Sequence, residues 1–186
     1  MSTFNITTPR LTIRKMSLDD LVNFHHYRCN PEVMKYQGSD VLDLDQAKAF
    51  IVSMLDKTFG KPGEWVQYTI ANKATGKLIG DCAIKLAKSD PRIATVGMTI
   101  SDLEQRKGYA KEALLGILKF LFEEKKLHRV EEICDAENMA SIRLLESLGF
   151  RREGHFIENI FFNGKWGSEF QYAMLRREWE LRLRSV

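Results

Sequence analysis

The stretch Ile100-Ser-Asp-Leu-Glu-Gln-Arg-Lys-Gly-Tyr-Ala110 constrains the fold of this chain more than any other. An apolar run, Ile93-Ala-Thr-Val-Gly-Met-Thr-Ile100, precedes it. After it, Ala110, Ala113, Leu114, Ile117, Leu118, Leu121 and Phe122 recur at helical spacing. Strand, short polar loop and helix start, in that order, make a geometry that grips a phosphate. The first N–H groups of a helix have no intrahelical partner, and the aligned peptide dipoles place partial positive charge there. Gly108 and Ala110 keep side chains out of an anion's way, and Lys107 and Lys111 add full charges beside it.

The chain has 186 residues, enough for one domain spanning 1–186 with a substantial core. Its 44% hydrophobic and 28% charged residues are ordinary for a globular protein. No apolar run approaches the ~20 residues of a membrane helix. The opening Met1-Ser-Thr-Phe-Asn-Ile6 lacks the basic region and apolar core of a secretion signal. Cys29, Cys82 and Cys134 are far apart and odd in number, which argues against a disulfide framework and for a reducing, cytoplasmic setting. They show no metal-ligand spacing and are expected as small buried apolar side chains. A net charge of +3 lacks the clustered basic footprint of a nucleic-acid binder. Neither nucleic acid nor membrane is expected as a partner.

No linker or repeat interrupts the chain. Leu11 and Ile13 alternate with polar residues in a first strand, and Ser17 with Asp20 opens a helix over Leu18 to Arg28. Asn30-Pro31 breaks the chain, and a polar loop is expected to run to about Asp43. A helix follows over about Leu44 to Phe59. Trp65 to Ala71 and Lys77 to Leu86 read as strands joined through Asn72–Gly76. After the Ile93–Ile100 strand comes a helix over 106–126, then a strand over Arg129–Asp135. Met139, Ile142, Leu145 and Leu148 mark a shorter helix ending at Gly149. Asn163-Gly164, between two aromatic-rich runs, is a hairpin signal. The sum is one mixed α/β sheet with helices on both faces.

Four further segments carry a resemblance. Asn138-Met-Ala-Ser141-Ile-Arg-Leu-Leu-Glu-Ser-Leu-Gly149-Phe150, following Gln105-x-x-Gly108-x-Ala110, is similar to motifs B and A of the GNAT acetyltransferases. Thr8-Pro-Arg-Leu-Thr-Ile-Arg14 with Asn30-Pro-Glu-Val-Met-Lys-Tyr36, and the terminal Tyr172-Ala-Met-Leu-Arg-Arg-Glu-Trp179, look like the branch acetylating ribosomal-protein N-terminal alanines. The resemblance implies a mixed, mostly antiparallel central sheet flanked by helices on both faces. It implies acetyl-CoA as cosubstrate, with no metal. Gln105, Arg106, Lys107, Gly108, Tyr109, Ala110 and Lys111 would receive its pyrophosphate. Backbone groups of Met98, Thr99 and Ile100 would hold the pantetheine and thioester, with Asn138 and Ser141 beside the arm. Gly97 fits a place where that strand opens.

The chain departs from the family where catalysis needs groups. Many members have Glu where Thr95 stands, Tyr where Leu145 stands, and a carboxylate where Ser168 stands. Ser141 is the hydroxyl left near the sulfur and the expected catalytic residue. The proton acceptor stays open among Glu169, Asp81, Glu137, His155 and a water chain; each of the acids also reads as a solvated surface residue. Without a dedicated base, rate would follow the acceptor's own ionisation, favouring an α-amine near pKa ~8 over a lysine near ~10.4. His25-His26 and His128 read as surface histidines. Phe161, Phe162 and Trp166 read as strand packing that could wall an acceptor groove. The leading reading is an acetyl-CoA-dependent N-acetyltransferase acting on a protein N-terminal α-amine, as monomer or homodimer. A polyamine or aminoglycoside acetyltransferase and a non-catalytic acyl-CoA-binding domain are the alternatives. A nucleotide phosphotransferase lacks its glycine-loop lysine and paired magnesium ligands.

Overall fold

The computed structural model describes residues 4–38, 40–162 and 164–184. Eight strands form one sheet: β1 (Asn5–Thr7), β2 (Leu11–Lys15), β3 (Trp65–Asn72), β4 (Leu78–Leu86), β5 (Ile93–Ile100), β6 (Arg129–Asp135), β7 (Arg151–Phe162) and β8 (Lys165–Leu175). Their order across the sheet is β1-β2-β3-β4-β5-β6-β8-β7, and the pairing is antiparallel except between β5 and β6. The helices are α1 (Leu21–Arg28), α2 (Pro31–Met34), α3 (Leu44–Leu55), α4 (Tyr109–Lys119), α5 (Met139–Ser147) and α6 (Arg176–Arg184). Among the described residues no helix is long and apolar enough to cross a membrane.

Strand alternation divides the core between the two faces. Tyr68, Ile70, Cys82, Ile84, Ala94, Val96 and Val130 join Ala113, Leu114, Ile117 and Leu118 of α4 and Ile142 and Leu145 of α5. On the opposite face Phe24 and Tyr27 of α1 pack with Ala47 and Ile51 of α3. The helix after the phosphate-type loop starts at Tyr109, later than 106. After Lys119 it relaxes into a π-helical turn, Phe120–Glu124, which keeps Phe120, Leu121 and Phe122 buried.

Other expectations change in detail. The stretch after Asn30 contains α2: Asn30 caps it by accepting the Glu32 N–H at 3.0 Å, and Pro31 occupies the first turn, where its missing donor costs nothing. The next helix stops at Leu55, short of Phe59. Cys82 and Cys134 are buried as expected, whereas Cys29 at the end of α1 is exposed. The hairpin joins β7 to β8 around Gly164, and Asn163 lies outside the described residues.

Asp81 is not a surface acid. It is fully buried on β4, where Arg28 of α1 donates to it from Nη2 at 2.6 Å and Nε at 3.2 Å. The Tyr27 hydroxyl and the Gln67 amide also donate to it. Asp20 ties the preceding turn to the same face, accepting from both terminal nitrogens of Arg14 at 2.8 Å and from the Thr69 hydroxyl at 2.8 Å. These carboxylates fix α1 across β2, β3 and β4. Removing one partner of a buried pair leaves an uncompensated charge. Asp81→Ala should therefore destabilise the fold by about 3–5 kcal/mol, measured by urea unfolding.

Candidate active site

The sheet comes apart in the middle. β5 and β6 share three rungs, Ile93 with Arg129, Ala94 with Val130 and Thr95 with Glu131. Beyond Thr95, β5 remains bonded to β4 as far as Ile100, and β6 to β8 as far as Asp135, but the two part from each other. Backbone groups facing the gap lose their strand partners there and must bond water or a ligand. Gly97 lies at the opening, and a Cβ placed on it would meet nothing within 4 Å. Its pairing with Ala83 keeps register, so it is a gap residue and no bulge.

The gap is the centre of a forked cleft. One arm, about 510 Å³, runs from Met98, Thr99 and Ile100 past Gln105, Arg106 and Gly108 to Tyr109, Ala110 and Lys111. The other, about 350 Å³, runs from Gly97 past Cys134 and Asp135 to Ile160, Phe162 and Glu169 of the β7–β8 hairpin. Tyr36, Gln37, Met98, Glu132, Asn138 and Ser141 line both arms. Both ends of α2 are tethered beside this junction: Thr99 donates its hydroxyl to Gln37, just after the helix, at 3.0 Å, and Asn30, its N-cap, donates to Asp102 at 3.2 Å.

The loop at the end of the first arm is tightly turned. Arg106 and Gly108 have φ of 61° and 80°, and Gly108 stands at the N-cap of α4. A left-handed φ is natural for glycine and costly for valine. The first intrahelical bond runs from the Glu112 N–H to the Gly108 carbonyl at 3.1 Å, so the N–H groups of Tyr109, Ala110 and Lys111 precede it. Glu112 accepts from the Thr8 hydroxyl at 2.6 Å and from the Arg10 N–H and Nε at 2.7 and 2.6 Å, which pins the helix start to the β1–β2 turn. Gln105 donates its amide to the Ile100 carbonyl at 3.1 Å, holding the loop against the end of β5.

A family model described as an acetyltransferase (GNAT) domain matches residues 10–151. Over 175 residues the chain is 33% identical to the uncharacterized N-acetyltransferase YnaD of Bacillus subtilis, covering 94% of this chain and 99% of the relative. A crystal structure of a GNAT-family acetyltransferase from Bacillus anthracis superposes with a TM-score of 0.83 at 30% identity, covering 94% of this chain and 100% of that one. The spermidine N(1)-acetyltransferase of Vibrio cholerae is 25% identical over 158 residues, 84% and 88% of the two chains. The chain belongs to the GNAT acetyltransferases. It is an N-acetyltransferase with acetyl-CoA as cosubstrate. Among the described residues no cluster of His, Cys, Asp and Glu could hold a metal ion.

Backbone groups, more than side chains, are what this cleft could offer a cosubstrate. The splayed strand edge and the uncapped N–H groups of α4 are what a pantetheine arm and a pyrophosphate require. Of the residues expected from sequence to hold the cosubstrate, all but Lys107 line the cleft. The Lys107 ammonium pairs with Glu104 at 2.9 Å and its carbonyl accepts from Arg10 at 3.0 Å, leaving its backbone N–H as the group it can offer. Asn138 caps α5 by accepting the Ser141 N–H at 3.1 Å, so its amide donors are what it can extend to a ligand.

The open question of a base looks different in three dimensions. Asp81 is locked in the α1 cluster. Glu137 is exposed and pairs with Lys165 at 3.4 Å. His155 is exposed on β7 against Phe170, with ring centres 4.6 Å apart, and lines neither arm. Glu169 lines the second arm and accepts from Asn159 at 2.5 Å. Phe162 walls the same arm, while Phe161 and Trp166 pack together in an exposed T-shaped pair.

Sequence reasoning missed Glu132. It is 5% exposed, on β6 one residue past the last rung shared with β5. Its Oε1 accepts from the Ser141 hydroxyl at 3.3 Å, and its Oε2 is buried with no hydrogen-bond partner. Burial raises its carboxyl from an ordinary 4.5 to about 7, opposed by the Ser141 bond. Cys134 on its own strand feels its charge along with those of Asp135 and Glu169, and Tyr172 of β8 is its partner across the sheet. The signal was present: Val130, Glu132 and Cys134 share the inward phase of an alternating strand, and an acid there is out of place.

The folded protein holds a proton on Glu132 at pH values where the unfolded chain has lost it. Stability should therefore fall as pH rises from about 4.5 to about 7, and the full penalty should persist above that window. Glu132→Gln removes the ionisation and should flatten this dependence. The variant should exceed the wild type at alkaline pH by on the order of 3 kcal/mol, read from urea unfolding across the pH range.

Proposed function

We propose that this enzyme acetylates cationic amines, and that its acceptor is the α-amino group of a polypeptide N-terminus. The observation that carries the reading is the lining of the second arm. Glu132, Asp135 and Glu169 contribute carboxyls there, and no Lys, Arg or His lines it among the described residues. Such a cavity attracts an ammonium ion and disfavours an acidic acceptor. Ile160 and Phe162 supply an apolar wall for the first side chain of a peptide. Acidic surroundings also raise an amine's pKa, so an acceptor that starts near ~8 gives up its proton more readily at neutral pH than one above ~10. The likeness of the N- and C-terminal segments to the ribosomal-protein branch supports the same choice.

In this reading Met98 to Ile100 bind the thioester arm through their main chain. Residues 105–111 cradle the pyrophosphate, with Arg106 and Lys111 as the charged contributors. Asn138 steadies the pantetheine from α5. Bound acetyl-CoA supplies the activated acetyl group. The protein supplies proximity by holding the amine in one arm and the thioester at the junction. Ser141, at that junction, is placed to hydrogen-bond the sulfur.

A polyamine acceptor is the second reading. The three carboxylates suit a chain of several ammonium groups, and the Vibrio cholerae relative is named for spermidine. A mass-shift assay with acetyl-CoA against N-terminal peptides, spermidine and aminoglycosides decides between them. Peptides with free N-termini should gain one acetyl group with kcat/KM at least ~10-fold above spermidine. A reversed ranking would make the polyamine reading correct. For cosubstrate placement, Ala110→Asp puts a carboxylate at a helix start that tolerates one. It should weaken acetyl-CoA binding by at least ~10-fold in calorimetry, by repelling the pyrophosphate, with the melting temperature little changed.

A further inference from the structure

The gap has an acid at its inner end. Thr95 lies on the last rung that β5 shares with β6, opposite Glu131, and Glu132 is the next residue into the gap. Glu132 is buried, lines both arms of the cleft, bonds Ser141 and keeps one carboxylate oxygen without a partner. A structural acid in a core is normally paired by a cation or satisfied by several donors, as Asp81 and Asp20 are in this protein. Glu132 has a single donor, a hydroxyl at 3.3 Å. An under-satisfied carboxylate kept at the junction of two ligand arms, at a cost in stability, is the signature of a working group.

We propose that Glu132 is the general base of this enzyme and that Ser141 couples it to the departing sulfur. This rests on acetyl transfer taking place in this cleft, and not on which amine accepts. Glu132 as carboxylate takes one proton from the bound ammonium, directly or through one water, and the amine lone pair becomes free. The C–N bond then forms as the C–S bond breaks, leaving a thiolate and a positively charged amide nitrogen. Glu132, now a carboxylic acid, donates to the Ser141 oxygen, and the Ser141 hydroxyl proton passes to the sulfur. The remaining proton on nitrogen leaves to solvent. The sum is amine cation plus acetyl-CoA giving N-acetyl amine, CoA thiol and one proton.

The hydrogen bond between Ser141 and Glu132 reverses direction in this scheme. With Glu132 ionised, the serine donates to it, as in the structure. With Glu132 protonated, the serine accepts, and its own hydrogen is free for the sulfur. A serine alone is a poor acid; a serine backed by a protonated carboxyl needs no solvent to replace the proton it gives up. A carboxyl held near 7 matches a base working at neutral pH.

The test uses the full chain. Carbon NMR of wild type labelled at the glutamate carboxyl should show one carboxyl titrating near pH ~7 that Glu132→Gln removes. With any amine that the enzyme turns over, Glu132→Gln should lower kcat by ~100-fold or more and abolish the acidic limb of the rate profile. The acetyl-CoA KM should stay within about threefold, and Glu132→Asp should restore part of the rate. Ser141→Ala should cost ~10- to 100-fold in kcat, and the double variant should be no worse than Glu132→Gln alone, since both act on one proton path. A folded Glu132→Gln that keeps more than half of kcat with an unchanged profile, chemistry being rate-limiting, overturns the assignment. So does a Glu132 carboxyl that titrates in the ordinary range. Failure to acetylate N-terminal peptides would sink the acceptor reading only, because spermidine or another small amine carries the same kinetic assay.

Discussion

Everything functional in this protein depends on two parallel strands that stop bonding each other after three rungs. A continuous sheet would satisfy its own backbone and offer a ligand nothing but side chains. Here β4 and β8 hold the outer edges of β5 and β6 along their lengths, so the gap opens without loosening the strands that border it. The cost is a set of backbone groups that must be satisfied by something other than protein. That cost makes the gap receptive to an extended amide-bearing arm, and the same gap leaves Glu132, the first β6 residue past the last rung, without a partner on β5.

The rest of the fold keeps this opening in place. Glu112 ties the start of α4 to the β1–β2 turn, so the N–H groups that face the cleft are fixed relative to the sheet. Asp81 and Asp20 secure α1 on the other face, and α1 leads into α2 and the segment that covers the junction. Thr99 and Asp102 hold that segment from below. Buried acids therefore appear in two kinds. Asp81 and Asp20 are saturated with donors and are structural. Glu132 has one donor among the described residues, which is why the proposed mechanism gives it a working role.

Local chemistry that repeats along the chain was legible without coordinates. The Ile93–Ile100 and Arg129–Asp135 strands and the α5 helix with its Gly149 stop followed from alternation, helical spacing and the terminal glycine. The Asn138 cap did not, because that residue was read only as a ligand contact. What sequence hid was anything decided by juxtaposition. Asp81 and Glu132 are both acids in strands, and nothing local says that Arg28, distant in sequence, will neutralise one while no cation reaches the other. Helix α2 was hidden because Pro31 reads as a breaker, although at a helix start it is a natural first residue. Lys107 was misleading for the opposite reason: its neighbour Glu104 claims its charge.

The cleft also carries a polarity that follows from its two ends being built by different devices. The basic side chains of its lining, Arg106 and Lys111, lie with the α4 N-terminus in one arm. The other arm has Asp135 and Glu169 and no basic residue among the described residues. In the proposed reading the α4 N-terminus with Arg106 and Lys111 receives a polyanionic cosubstrate, although Glu32 and Glu104 also line that arm, and the acidic arm draws a cationic acceptor. In that reading the two would meet where Glu132 and Ser141 line both arms, between the α4 N-terminus with its two basic residues and the acidic arm. Near the first, a thiolate leaving with the cosubstrate gains stability. In the second, an ammonium holds its proton more tightly, and only an acceptor beside it with a matched affinity can remove that proton. A carboxylate raised by burial, and left without a cation, has that affinity; a carboxylate paired as Asp81 is would not.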